Sequence, residues 1–211
     1  MPLLTTHPYH TLTSNHHRYP TYHQANQSSK LFTNRPAFLD HPYPTIPITC
    51  TELGPFGAYL DADHTQDGAG YFPALSWPSP SPETQEYLLV SEDPDAPYPE
   101  SVIHGIYYGI PRVFTGLQHL DFEVDEESFR EGGNLLRGGF WFGMNRRGTV
   151  YLPPAGERVK GLHRYFFELV ALNESIGLGG EEMGELPTVE EIEGKVEGKV
   201  AAWGAWMGVT E

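Results

Sequence analysis

The chain has 211 residues and a formal net charge of -15, and 39% of its residues are hydrophobic. This apolar content excludes a wholly disordered chain, and the length is typical of one domain with a substantial core. The negative charge repels nucleic-acid phosphates and anionic membrane surfaces, so nucleic acid is not an expected partner. The 23 glycines and 19 prolines favour many short strands joined by turns over long helices.

Neither a targeting segment nor a membrane span is visible in the sequence. The N-terminus has no basic flank followed by an apolar run of signal-peptide length, and no stretch approaches the roughly 20 apolar residues that a membrane helix requires. The single cysteine, Cys50, excludes an internal disulfide and suits a reducing compartment. We therefore expect a cytoplasmic protein without an integral membrane segment.

Residues 1–45 differ in composition from the rest of the chain. They hold six of the ten histidines and carry a charge of about +2, against about -17 for the remainder. Because no period of 2 or 3.6 is sustained there, we expect an extended or disordered arm, followed by a folded domain over residues 46–211. The histidines suggest metal binding, but a polar low-complexity tail is favoured, since no acid or cysteine accompanies them at ligand spacing.

Three short apolar runs predict buried strands in the body of the chain: Tyr87–Ser91, Val102–Ile110 and Tyr165–Leu172. The first run ends in the turn sequence DPDAP, and the second is stopped by Pro111. Strands and turns of this kind predict a mainly β domain.

The pattern changes near the C-terminus. Thr188 and Glu191 have the spacing of a capping box, in which each side chain accepts the other residue's backbone amide. Apolar residues then recur at spacings of 3 and 4 from Val189 to Met207. This spacing predicts one amphipathic C-terminal helix whose apolar stripe faces the core.

Side chains capable of chemistry stand on and just after these strands. Asp93 and Asp95 lie in the DPDAP turn, whose prolines end the strand and hold both carboxylates at the rim of the sheet. His104 lies inside the second run, His163 begins the third, and Tyr165 follows on the same side of that strand. A carboxylate that accepts one imidazole N–H leaves the other ring nitrogen to donate to an anion. The alternative is an acidic surface turn with two hydrogen-bonded core histidines.

DPDAP followed roughly 65 residues later by Gly161-Leu-His-Arg-Tyr165 resembles the phosphatidylethanolamine-binding protein (PEBP) family, which includes Raf kinase inhibitor proteins. Further matching pieces, in family order, are Pro73-Ala-Leu-Ser-Trp77, Ile110-Pro111 and the stretch from Asn145 to Tyr151. The resemblance covers roughly residues 46–211 and is closest to the compact bacterial-type branch of the family.

This resemblance implies a Greek-key β-sandwich of two antiparallel sheets with peripheral and C-terminal helices. It also implies a pocket that binds phosphate-like and carboxylate anions, including phospholipid head groups. Carried over residue by residue, the pocket comprises Asp93, Asp95, His104, His163 and Tyr165. No cofactor and no metal is expected, although a metal triad of Asp93, His104 and His163 is conceivable.

Three classes of function stay open. The first is a regulatory, scaffold or inhibitor module that binds a small anion and has a kinase, a protease or a biosynthetic enzyme as its partner. The second is an enzyme or enzyme accessory that acts on an acidic or anhydride-type intermediate of secondary metabolism, as some fungal relatives in the family do. The third is a protein with a vestigial pocket that interacts through its acidic surface. A non-enzymatic role is favoured, because the sequence lacks the usual hydrolase motifs.

Two departures from the family pattern concern the pocket. Gly105 follows His104 where many members carry an aromatic residue, so we expect either a more open pocket wall or the loss of a stacking surface. Arg158 and Lys160 intrude in the loop before His163, where they either contact an anion or, as is favoured, face solvent. In addition, the tight DPDAP turn makes Ala96–Pro97 a candidate cis peptide bond.

Overall fold

A computed structural model of the protein describes residues 27–130, 133–156, 161–177 and 186–211. The strands in these ranges are β1 (Ala58–Tyr59), β2 (Leu75–Ser76), β3 (Glu86–Asp93), β4 (Val102–Pro111), β5 (Gly116–Leu117), β6 (Trp141–Phe142), β7 (His163–Leu172) and β8 (Val200–Thr210). The α-helices are α1 (Glu126–Arg130) and α2 (Val189–Val196). Within the described ranges, no helix is long and apolar enough to cross a membrane.

The four long strands β3, β4, β7 and β8 form the centre of a six-stranded sheet of order β1-β8-β7-β3-β4-β6. Every neighbouring pair is antiparallel except β1 on β8, so this main sheet is mixed rather than purely antiparallel. The strands β2 and β5 form a second, antiparallel sheet, and Leu75 and Leu117 bury its inner side against the main sheet. The predicted mainly β fold is confirmed.

The residues of the predicted arm that the structure describes, 27–45, pack onto the main sheet. They form three 3₁₀ turns: Ser28–Lys30, Phe32–Asn34 and Pro36–Phe38. Phe32 and Phe38 are 0% and 2% exposed and lie in an apolar cluster with Val90 and Val170. The folded domain therefore begins before Phe32, not at residue 46, because isolated aromatic residues can anchor a segment that has no period. We call residues 28–38 the strap; residues 1–26 lie outside the described residues.

The main sheet has two buried faces, since successive side chains of a strand point to opposite sides. Tyr165, Phe167 and Leu169 of β7 pack on the side that carries the small sheet. Val170 and Leu172 pack on the opposite side, against α2 and the strap. We call these the site face and the strap face.

The predicted C-terminal helix is correct only in its first part. The capping box is present, with the Glu191 amide donating to Thr188 Oγ1 at 3.3 Å and the Thr188 amide donating to Glu191 Oε2 at 2.8 Å. After α2, however, Gly198 takes a φ of +75° and the chain continues as β8, so the C-terminal element is a strand. The backbone of β8 pairs along the whole of β7, and this tertiary pairing overrides the helical spacing of the apolar residues.

Candidate anion-binding site

Asp93, the last residue of β3, organises the turn that follows. Its Oδ1 accepts hydrogen bonds from the amides of Asp95, at 2.8 Å, and Ala96, at 3.2 Å. This is the arrangement by which an aspartate side chain closes a tight turn on its own backbone. The Ala96–Pro97 peptide bond is trans, so the prediction of a cis bond is wrong.

The second carboxylate oxygen of Asp93 holds the ring of His163. Oδ2 lies 2.7 Å from His163 Nδ1, and the two side chains are 6% and 10% exposed. Because a carboxylate only accepts, Nδ1 carries the proton and Nε2 is left for another partner. The hydrogen bond that His163 donates to Asp93 raises the pKa of His163, which favours the cationic ring.

His104 reaches the same face through a β-bulge. The ladder between β3 and β4 pairs Ser91 with Gly105 and Glu92 with Ile103, so His104 is the extra residue. Its Nδ1 donates to a backbone carbonyl, Leu152 O, at 2.5 Å, which again leaves Nε2 available. Burial lowers the pKa of His104, so this ring favours the neutral form with Nε2 as an acceptor.

The ring of Tyr165 lies against both histidines. Its centroid is 5.2 Å from that of His104, edge to face, and 6.4 Å from that of His163, nearly parallel. Burial raises the pKa of Tyr165 to about 12, which keeps the hydroxyl protonated. Asp93, His104, His163 and Tyr165 are therefore grouped at one end of the site face.

Asp95, by contrast, is engaged elsewhere. Both of its carboxylate oxygens accept from the guanidinium of Arg164, Oδ2 from Nε and Oδ1 from Nη2, each at 2.7 Å. Its Oδ2 also accepts from the backbone amide of Arg164 at 3.0 Å. The structure thus ties Asp95 to the residue after His163, and Asp95 makes no hydrogen bond with a histidine among the described residues. This bidentate, buried pair braces the DPDAP turn against β7.

The roles of two supporting residues were not predicted from the sequence. They are Arg164, the partner of Asp95, and Asn145. Asn145 Nδ2 donates to the carbonyl oxygens of His104, at 3.0 Å, and Thr149, at 2.7 Å. Asn145 is 3% exposed, so its amide serves as a buried clamp on the strand that carries His104. A polar residue after an apolar strand is a weak signal, and only the clamp geometry distinguishes Asn145 from an ordinary loop residue.

The space beside Gly105 is already filled. A Cβ atom at this position would lie 2.3 Å from the hydroxyl of Tyr107, which donates to Val150 O at 2.9 Å. The absence of a side chain at Gly105 thus makes room for Tyr107 of the same strand, so it does not simply open the pocket wall. The predicted contacts of Arg158 and Lys160 lie outside the described residues.

The described part of the chain contains no group of three His, Cys, Asp or Glu side chains arranged to hold a metal ion. The polar atoms left for a ligand by the hydrogen bonds above are the two histidine Nε2 atoms. Among the described residues, neither Nε2 has a hydrogen-bond partner. The arrangement is thus suited to hold an anion through the Nε2–H group of a cationic His163, while Nε2 of neutral His104 can accept from a hydroxyl of the same ligand.

A family model described as phosphatidylethanolamine-binding protein matches residues 52–211. The chain belongs to this family. Solved structures with the PEBP fold agree with this assignment. A putative PEBP homologue from Chlamydia trachomatis superposes with a TM-score of 0.63 at 25% identity, covering 80% of this chain and 99% of the homologue. The Escherichia coli protein YbcL shares the fold, with a TM-score of 0.61 at 20% identity over 79% of this chain and 98% of YbcL.

Sequence relatives include fungal proteins. Phomoidride biosynthesis cluster protein B from a fungal species is 40% identical over 190 residues, which is 90% of this chain and 89% of the relative. A protein of the same name from Talaromyces stipitatus is 40% identical over 90% of this chain and 77% of the relative. A UPF0098 protein from Methanothermobacter thermautotrophicus is 33% identical over 70% of this chain and 89% of the relative. The fungal matches leave only a tenth of this chain uncovered, so they include the strap.

Proposed function

We propose that this PEBP-family protein binds a small anion of the phosphate or carboxylate type between His104 and His163. The observation that carries the proposal is the Asp93–His163 hydrogen bond of 2.7 Å, which orients the ring and favours its charged form. A cationic His163 offers Nε2–H as a charge-assisted donor, and the ring of Tyr165 lies nearly parallel beside it. In a chain with a net charge of -15, such a local donor is required to hold an anion.

The biological role that we propose first is a binding module that regulates or scaffolds another protein, in keeping with the family. The partner would be a kinase, a protease or a biosynthetic enzyme. We propose a cytoplasmic location, because the chain has a single cysteine, which is buried and in no disulfide.

Isothermal titration of inorganic phosphate into the purified protein tests the anion site. We expect affinity to rise as the pH falls from 8 to 5.5, because protonation of His163 adds a donor and a positive charge. His163→Ala should weaken binding at pH 6 by at least about tenfold, the loss of one charge-assisted hydrogen bond. His41→Ala is the matched control, since no side-chain contact joins His41 to the site in the described residues. Equal affinity of His163→Ala and the parent protein would refute the site.

A second role is supported by the fungal relatives, whose names place them in a biosynthesis cluster. In this role the pocket accepts an acidic intermediate and either presents it to an enzyme or converts it. The two histidines have pKa values that are displaced in opposite directions, the arrangement that general acid–base pairs use. Native mass spectrometry of freshly purified protein distinguishes the roles: a lipid or phosphate compound supports the first, and a carboxylated small molecule that is consumed on incubation supports the second.

A further inference from the structure

Two glutamates are buried side by side on the strap face, away from the anion site. Glu92 on β3 and Glu168 on β7 are each 0% exposed. The ladder pairs Val90 with Glu168 and Glu92 with Phe166, so the two glutamates are diagonal neighbours on the same face. Their ladder partners on the outer strands are Ile103 on β4 and Ala205 on β8, neither of which titrates.

The strap supplies the hydrogen-bond donors that these carboxyls have. The Phe32 amide donates to Glu92 Oε1 at 2.6 Å, and Thr33 Oγ1 donates to Glu168 Oε1. The other oxygen of each carboxyl, Oε2, is buried without a hydrogen-bond partner. Thr33 is itself 3% exposed, so the strap covers this pair and excludes water from it.

No cation among the described residues pairs with either glutamate. The nearby arginine on the same face of β7, Arg164, is held by Asp95. The two cations of the strap point elsewhere, Arg35 to Glu193 at 2.7 Å and Lys30 to the carbonyl oxygens of Pro94 and Tyr98.

Two adjacent carboxylates in a dry site cannot both be ionised, because each disfavours the charge of the other and neither is solvated. A single proton held between the two Oε2 atoms gives both orphaned oxygens a partner. In agreement with this geometry, burial and the neighbouring Glu92 raise the pKa of Glu168 well above its usual range.

We propose that the strap is a proton-dependent latch, docked while the Glu92–Glu168 pair holds one proton and released when that proton is lost. The dianionic pair requires water, and the element that can admit water most easily is the strap. It is attached by short 3₁₀ turns and a few side chains, whereas the strands on either side are fixed by continuous ladders. This latch is a property beyond the anion site and does not depend on it.

Release has a mechanical consequence for the DPDAP loop. Lys30 Nζ donates to Pro94 O at 3.2 Å and to Tyr98 O at 2.8 Å, so the docked strap ties down the turn that follows Asp93. Loss of the strap frees this loop while the ladder of β3 with β7 stays intact.

Hydrogen–deuterium exchange between pH 6 and 10.5, corrected for the intrinsic pH dependence of exchange, tests the latch on the full-length protein. Above the pKa of the pair, protection of peptides within residues 31–40 should fall about tenfold per pH unit, as release of one proton requires. Peptides from residues 94–101 should lose protection in parallel, and peptides from β3 should not.

Glu168→Gln is the decisive variant. Its amide group can donate to Glu92 Oε2 in place of the shared proton, while its carbonyl oxygen still accepts from Thr33, so strap protection should no longer depend on pH. Glu92→Gln should do the same and serves if Glu168→Gln does not fold. Glu193→Gln, which removes the Arg35 ion pair, is the control: it should lower strap protection by a constant factor and retain the pH slope.

Three results would each overturn the proposal: a strap protection that does not change with pH in the parent protein, an unchanged pH slope in both Gln variants, or a loss of protection in β3 together with the strap. The last result would mean that the proton stabilises the whole domain and not the strap.

Discussion

Two buried carboxyl groups that are adjacent in the sequence lie on opposite faces of the main sheet and have different surroundings. Asp93 points to the site face and meets an imidazole, whereas its neighbour Glu92 points to the strap face and lies beside another acid. On the site face the contact favours the charged forms and raises the pKa of His163. On the strap face burial and, after it, the neighbouring Glu92 favour the protonated form and raise the pKa of Glu168. The sign of the partner thus decides whether a buried acid holds a charge or a proton.

The two faces also differ in whether their polar groups are available to a ligand. The site face leaves polar atoms available, whereas the strap face is covered by the strap. The two histidine Nε2 atoms of the site face have no partner among the described residues, while the carboxyls of the strap face are covered by Phe32 and Thr33. Substitutions on the site face should therefore affect binding as well as stability, whereas substitutions under the strap should affect stability and local opening.

The largest expected effect is that of Asp95→Ala, which leaves the buried guanidinium of Arg164 without its bidentate partner. We expect the free energy of unfolding to fall by about 3–5 kcal/mol, the usual cost of breaking a buried ion pair from one side. Urea denaturation measures it. Asp40→Ala, at an exposed position, is the control and should change it by less than about 0.5 kcal/mol. If Asp95→Ala leaves the denaturation midpoint unchanged, the pair does not brace the turn.

Phe32→Ala tests the anchoring of the strap. The ring is 0% exposed and makes an edge contact with Phe38 at 5.5 Å between centroids, so we expect a loss of about 3–4 kcal/mol in the free energy of unfolding. Leu39→Ala, at a side chain 79% exposed, provides the comparison and should be nearly neutral. A neutral Phe32→Ala would instead support the expectation of an extended or disordered arm over residues 1–45.

Gly105→Ala should cost about 1–3 kcal/mol, because the new methyl group would overlap the Tyr107 hydroxyl. Tyr107→Phe alone should cost about 1 kcal/mol through loss of the hydrogen bond to Val150 O. The double variant should cost less than the sum of the two, since removal of the hydroxyl makes room for the methyl group. Thermal or urea unfolding of all four proteins completes this cycle, and strict additivity would show that the two groups do not compete for space.

The smallest effect concerns the pH dependence of stability. The folded pKa of His163 is raised, so the stabilisation from its pair with Asp93 is fully present below the unfolded pKa of about 6.5 and is lost as the pH rises through the folded pKa. The difference in unfolding free energy between the parent protein and His163→Asn should therefore decrease from pH 6 to pH 9. A difference that grows with pH would have the wrong sign for a cationic His163.

Much of this protein follows from short-range patterns. DPDAP marks the end of β3 because proline cannot continue a ladder, and the apolar runs mark the central strands because such runs must be buried. The constrained acidic turn predicts that one of its carboxylates contacts one of the histidine rings, and the structure shows this contact between Asp93 and His163. The strand end and the apolar runs are local features, so the residue types that create them are adjacent in the sequence, whereas the Asp93–His163 contact joins two local motifs that lie 70 positions apart.

Only the tertiary structure decided the rest. Asp95 is as close to the histidine motif in sequence as Asp93, yet it pairs with Arg164, because alternate side chains of β7 lie on opposite faces. The apolar spacing from Val200 to Met207 fits a helix, but the open edge of β7 turns this segment into β8. The strap and its glutamate pair join residues more than a hundred positions apart, such as Thr33 and Glu168. No local sequence pattern predicts such contacts, since they arise only when distant segments bury their apolar side chains against the same face of the sheet.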